Sequence, residues 1–260
     1  DASRSGGHRS APQESTGGYA AERRLQRTEA TMDENWEDNF NADLFLNEDY
    51  ALETLRIEAS ATEALEQPLY LSTAASTDWD LTGQVLWPVS IFLGYYIAKN
   101  RQLFEGQKVA ELGAGCGLSG LVASHFASQT CLTDGEEVVV RLLEKNAQLQ
   151  REGKALQRGS EEQASIGVAC LRWGCQSDLD AFVDQFGVPD VLVGADIVCW
   201  PQYVRPLVQT LKRLMQLRFA EEESAEPLKL HLGYVCRALN NHRLFLDECS
   251  EYGFWVLEKP

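Results

Sequence analysis

The sequence predicts a doubly wound α/β domain with a mostly parallel sheet, preceded by an extension that is first disordered and then helical. Two observations predict it. Short apolar runs alternate with stretches whose apolar residues recur at helical spacing, and a cluster of glycines sits where the first such run gives way to a helix. Alternation of this kind favours parallel strands covered by helices on both faces.

The chain has 260 residues, long enough for one large domain with an appendage. It is 44% hydrophobic and 24% charged, and no apolar run approaches the roughly 18 residues of a membrane span, so no membrane contact is expected. Residues 1–32 are rich in Gly, Ser and Arg without periodicity and are expected to form a disordered tail. Its arginines resemble a transit sequence, but Glu14, Glu22 and Glu29 argue against one. Residues 33–80 make an acidic accessory segment, in which Trp36, Phe40, Leu44, Phe45, Leu52, Leu55 and Ile57 give apolar content for a helix or two. Residues 81–260 are the α/β domain.

Within that domain Pro88 opens a helix to Asn100, with Val89, Phe92, Leu93, Tyr96 and Ile97 at helical spacing. A strand over Val109–Leu112 follows, then the glycines, then a helix from Leu118 to about Ala127. Next come a strand at Thr130–Thr133, a helix from Val138 to about Leu149 and a strand around Val168–Trp173. Pro189 precedes the run Asp190–Val198, and the helix Tyr203–Phe219 carries Val204, Leu207, Val208, Leu211 and Leu214 on one face. After an acidic loop at Glu221–Glu226, a strand fits Leu228–Cys236 and a helix fits Arg243 to about Tyr252. Phe254–Leu257 begins a sixth strand, and the stop at Pro260 leaves a further strand expected beyond it.

The formal net charge of -16 repels a phosphate backbone, so nucleic acid is disfavoured as a partner and a Lys- or Arg-rich protein segment is favoured. Seven cysteines form an odd set, with no CxxC pair and no histidine pair at zinc spacing. They are expected to be small buried hydrophobes in a reducing, intracellular compartment, cytoplasmic or nuclear, and no metal site is expected.

Gly113, Gly115 and Gly117 follow a strand and open a helix, where missing side chains let the backbone turn sharply and approach a ligand. The dinucleotide pattern needs a glycine at position 118, which is Leu118, so pyrophosphate fits poorly. Glu111 ends the first strand and Asp134 the second, where a carboxylate accepts hydrogen bonds from ribose hydroxyls. Carboxylates repel a triphosphate but tolerate a sulfonium ligand, and S-adenosylmethionine satisfies every one of these constraints. The expected cradle is Glu111-Leu-Gly113-Ala114-Gly115-Cys-Gly117.

From Thr82 to Leu257 the chain resembles the seven-strand protein lysine methyltransferases grouped as methyltransferase family 16, a Rossmann-like class I methyltransferase fold. The resemblance rests on Gly83-Gln-Val-Leu-Trp87-Pro88, Val109-Ala-Glu-Leu-Gly-Ala-Gly-Cys-Gly-Leu-Ser-Gly120, Leu132-Thr-Asp134, Asn146, Leu171-Arg-Trp173-Gly174 and Gly194-Ala-Asp196-Ile-Val-Cys199. It implies that Trp87 and Trp173 lie against the cofactor, that Gly113, Gly115 and Asp134 hold its amino-acid and ribose parts, and that Ala195 and Asp196 border the methyl-transfer site. The family pattern has an aromatic residue, usually Tyr, three positions after the aspartate; here Cys199 stands there with Trp200 beside it. Trp200 is the candidate replacement.

Methyl transfer needs alignment of amine, methyl carbon and leaving sulfur with water excluded, and a carboxylate at Asp196 would orient the amine. The expected activity is N-methylation of a lysine on a specific non-histone protein. Arg, His or a small amine as acceptor, and a catalytically weak cofactor-binding scaffold, remain open alternatives.

Overall fold

The computed structural model describes residues 49–73, 82–158, 165–221 and 226–258. The expected disordered tail, the accessory segment before residue 49 and most of the acidic loop after Glu221 lie outside the described residues.

Where the sequence predicts helix in the second half of the accessory segment, the chain forms an antiparallel hairpin. Strands β1 (Tyr50–Glu58) and β2 (Ala64–Ser72) pair from Tyr50 opposite Ser72 to Glu58 opposite Ala64. The burial has a period of two: Leu55 and Ile57 turn inward between exposed Thr54, Arg56 and Glu58, and Gln67 and Leu69 are buried on β2. The tight connection is closed by the Glu63 carbonyl, which accepts from the amides of Ala59 and Ser60.

Helix α1 (Pro88–Lys99) starts on Pro88, whose fixed φ suits a first turn and whose missing N–H has no partner to lose there. The alternation then runs β3 (Lys108–Glu111), α2 (Leu118–Ala123), β4 (Gln129–Asp134), α3 (Glu137–Arg158), β5 (Ser165–Cys170), α4 (Gln176–Phe186), β6 (Val191–Ala195), α5 (Pro201–Glu221), β7 (Lys229–Gly233) and α6 (Leu239–Glu251). The five strands β3 to β7 form one parallel sheet in the order β5-β4-β3-β6-β7. Phe254–Leu257 is not a strand: it follows α6 as coil, with Trp255 93% and Leu257 82% exposed. A strand needs a neighbour to satisfy its backbone, and this segment pairs with none among the described residues.

Successive residues of each central strand feed opposite sides of the sheet. Val109, Leu132 and Val193 pack with Leu93 and Ile97 of α1, Leu121 of α2, Leu142 of α3 and the hairpin's Ile57 and Leu69. Ala110, Cys131 and Leu192 pack with Leu179 of α4, Leu207 of α5 and Phe245 of α6. Both faces are therefore covered, which is why these strands read as unbroken apolar runs. The hairpin lies outside α1, α2 and α3 and adds a further layer there.

The order of strand addition reverses between β3 and β6: β4 and β5 extend the sheet on one side of β3, β6 and β7 on the other. Such a switch opens a crevice beyond the carboxyl ends of the two central strands, where open α/β sheets bind ligands. No helix among the described residues is long and apolar enough to cross a membrane.

Candidate active site

The crevice is bounded on one side by the turn after β3. Gly113, Gly115 and Gly117 adopt left-handed φ values of 57°, 55° and 83°. A Cβ on Gly113 would stand 2.9 Å from Ile197 and 3.1 Å from Trp173, and one on Gly115 would stand 2.9 Å from the Gly83 carbonyl. Conformation and crowding both exclude larger residues from these two positions. The turn is tied to its neighbours: Ala114 N–H donates to Thr133 O at 2.8 Å, and Thr133 Oγ1–H donates to Glu111 O at 2.7 Å.

The acid pair of the sequence divides into two settings. Asp134, half-buried at the end of β4, accepts the Gly115 N–H at 3.1 Å on one oxygen and the Glu136 N–H at 3.2 Å on the other, so it shapes the turn from the crevice side. Burial pushes its carboxyl above the usual range, against the lowering effect of these amides. Glu111 points elsewhere. It is 1% exposed, and its Oε2 accepts the Gly120 N–H of α2 at 2.8 Å. Burial raises its pKa to about 8, the Gly120 hydrogen bond opposing, so Glu111 is mostly a neutral carboxyl at pH 7 that holds α2 against the turn.

Asn146 of α3 is fully buried and joins three parts of the molecule. Its Oδ1 accepts the Tyr70 N–H at 2.6 Å, and its Nδ2 donates to Tyr70 O at 3.1 Å and to Cys116 O at 2.9 Å. The hairpin is thereby fastened to the glycine turn.

Across the crevice, Asp196 follows β6 with φ of 57°, the one left-handed non-glycine among the described residues. Its amide donates to Gly233 O at 2.8 Å, and its side chain is 6% exposed. A buried carboxylate on strained backbone is a feature of functional sites, because the surrounding structure must hold it there. It is ion-paired with Arg237, which follows β7. The Arg237 guanidinium also lies over the Trp87 indole, 5.3 Å from the ring centroid. Trp87, at the N-terminus of α1, is held in turn by its Nε1–H donating to Thr82 O at 3.0 Å.

The remaining expected residues spread around this crevice. Trp173 is half-buried beside Gly113 and meets Tyr203 edge to face, and Ala195 is half-buried at the end of β6. Ala114 is buried under the turn. Trp200 stands at the rim before α5, 41% exposed, and Cys199 is half-buried with its carbonyl accepting from Asn241 Nδ2. Gln84, beside Gly83, has a buried Nε2 with no hydrogen-bond partner among the described residues. Sequence reasoning missed Arg237: a lone arginine after the last strand carries no spacing signal linking it to Asp196. All seven cysteines are free thiols.

A left-handed glycine turn and a strained aspartate flank the switch point of an open α/β sheet, the class of fold that binds its ligand there. Similarity to known proteins resolves that class further. The lysine methyltransferase family model matches residues 67–221, more than half of the chain, and the chain belongs to that S-adenosylmethionine-dependent family. A calmodulin-lysine N-methyltransferase of Arabidopsis thaliana is 31% identical over 55% of this chain and 44% of its own length. The human protein-lysine N-methyltransferase EEF2KMT is 27% identical over 72% of this chain and 56% of its own. The chain thus spans about half the length of these relatives. Among solved structures, a magnesium protoporphyrin IX methyltransferase of Synechocystis PCC 6803 with bound SAH matches with a TM-score of 0.39 and 12% identity, over 65% of this chain and 73% of its own.

Proposed function

We propose that this chain transfers a methyl group from S-adenosylmethionine to the amine of a lysine on a specific non-histone protein. The observation that carries this reading is Asp196: a buried carboxylate on strained backbone, facing the glycine turn across the crevice of a family fold. S-adenosylmethionine supplies a methyl group on a sulfonium centre. The backbone of Gly113, Ala114 and Gly115 and the carboxylate of Asp134 would hold the cofactor, and Trp87, Trp173 and Ala195 would wall it. Glu111 would serve this site indirectly, by fixing α2 behind the turn. Asp196 accepts a hydrogen bond from the incoming amine, so that its lone pair is directed at the methyl carbon. Trp200 supplies an aromatic rim for the lysine stem in place of the residue at Cys199.

The net charge of -16 suits a basic protein segment rather than nucleic acid as acceptor. A cytoplasmic or nuclear setting, off the membrane, goes with seven unpaired thiols. In this reading the chain divides at about residues 33 and 81 into tail, accessory segment and methyltransferase domain, with the hairpin as part of the accessory segment.

The test is calorimetric titration with S-adenosylhomocysteine, followed by radiolabelled methyl transfer into lysate proteins. Asp134→Ala should lose cofactor affinity; Asp196→Ala should keep it and lose one labelled band. Cofactor binding with no labelled protein from the unaltered chain would favour the scaffold or a small-amine acceptor, and no binding at all would remove the reading.

A further inference from the structure

Resting on that reading, we propose that Arg237 is the positioning residue for the acceptor amine: it grips Asp196 by one oxygen and leaves the other to the substrate. The hydrogen bonds are one-sided. Arg237 Nε–H donates to Asp196 Oδ2 at 3.1 Å, and Nη2–H donates to the same oxygen. Oδ1 receives no hydrogen bond from the described residues, although its side chain is 6% exposed. Oδ1 is not among the buried atoms that lack a partner, so the residual exposure of the carboxylate lies on the oxygen Arg237 leaves open, and that oxygen can accept from an incoming ligand.

The grip is itself braced. The guanidinium is planar and lies against the Trp87 indole, whose own N–H is fixed on Thr82 O. Three strand and helix ends therefore meet in one contact: Asp196 after β6, Arg237 after β7 and Trp87 before α1. Rotation of the Asp196 carboxylate would have to break the ion pair, and left-handed backbone at Asp196 limits the alternatives further.

Arg237 also balances the carboxylate charge that the amine meets. Cys199 and Tyr234 also sense Asp196, and burial raises both above their ordinary values, so both are neutral near pH 7. Cys236 beside Arg237 is exposed, and Trp87 and Gly233 carry no charge. The Asp196 carboxylate by itself would favour the ammonium form; the cation paired with it offsets that pull and leaves more of the neutral amine that can attack. A positioning residue of this kind acts on turnover and its pH dependence, and leaves cofactor binding alone.

The test compares the full chain with R237A and R237K. S-adenosylhomocysteine affinity is measured by calorimetry, and radiolabel transfer into the lysate protein labelled by the unaltered chain is followed from neutral to alkaline pH. Cofactor affinity should stay within about twofold in both variants. R237A should label the same band at least about tenfold more slowly, with the acidic limb of its profile moved to higher pH, and R237K should recover much of the rate because it restores a cation. Equal labelling by R237A, or a loss of labelling matched by an equal loss of cofactor affinity, overturns the assignment. A parent chain that binds the cofactor and labels nothing overturns the lysine reading first, a result distinguishable from either.

Discussion

Replacing Glu111 by Gln separates a carboxyl that supports the turn from one that meets the ligand. The side chain is 1% exposed, its Oε2 accepts from Gly120 N, and burial lifts its pKa from 4.5 to about 8. In the unfolded chain it ionises at its ordinary value; in the folded chain it stays protonated until pH passes about 8. The raised value means that stability is fully present below pH 4.5 and is lost as pH rises through 8. Between those two values the folded state loses about 1.4 kcal/mol for every tenfold drop in proton concentration, so the loss reaches about 3 kcal/mol at pH 7 and about 5 kcal/mol well above pH 8. Gln is nearly isosteric, keeps the acceptor for Gly120 and never ionises. The difference in unfolding free energy between E111Q and the parent, measured by urea denaturation at a series of pH values, should therefore climb in favour of Gln by about 3 kcal/mol between pH 4 and pH 7. For a domain of this size that corresponds to a relative melting-temperature gain of about 6 to 12 °C. A flat difference curve would refute the reasoning, because it would mean that the carboxylate is solvated in the folded state and faces the crevice.

Three further substitutions test the surroundings of the crevice. Gly113→Ala forces a Cβ to 2.9 Å from Ile197 on backbone with φ of 57°, and should cost about 1 to 3 kcal/mol in thermal unfolding and abolish S-adenosylhomocysteine binding in calorimetry. Asn146→Leu strands the Tyr70 N–H and the Tyr70 and Cys116 carbonyls in the interior; chemical denaturation should show a loss of about 2 to 5 kcal/mol, and amide exchange should show the hairpin loosening. Asp134→Asn removes the negative charge and turns an NH2 toward one of the two amides the carboxylate accepts, so it should weaken S-adenosylhomocysteine by about tenfold or more and cost about 1 to 3 kcal/mol in chemical denaturation.

What the sequence could and could not disclose follows from how each element is buried. The strands β3, β4 and β6 are covered on both faces, so Val109-Ala-Glu-Leu112 and Val191-Leu-Val-Gly-Ala195 read directly as apolar runs, and α3 and α5 show one apolar face each, whereas α2 is buried all round. The hairpin was illegible because only one face of β1 is covered: Leu52 is exposed while Leu55 and Ile57 turn inward, a short alternation that a helical reading of the same leucines absorbs. Helix α4 escaped for another reason. Leu179, Phe182, Val183 and Phe186 lie at helical spacing, but Asp178, Asp180 and Asp184 between them give the stretch the look of a loop. Phe254–Leu257 misled in the opposite direction, since a run of apolar residues forms a strand only where another strand receives it.

The site shows the same limit at the level of single side chains. Glycines at 113, 115 and 117 were legible because their requirement is local: the left-handed turn and the close approach of Gly83 and Ile197 demand them wherever the rest of the chain goes. The acids were legible in position and not in direction. Glu111 and Asp134 end adjacent strands, yet one turns into α2 and the other toward the turn's amides, a choice set by which helix N-terminus lies within reach of each carboxylate. Arg237 was not legible at all, because its meaning comes from two residues brought to it by the sheet order, Asp196 from β6 and Trp87 from the start of α1. Local backbone demands are written in residue type and spacing, whereas the electrostatic setting of an acceptor amine is written only in the fold. Substrate selectivity in this chain should accordingly track the residues that meet at Arg237 more closely than the glycine turn, which serves any acceptor equally well.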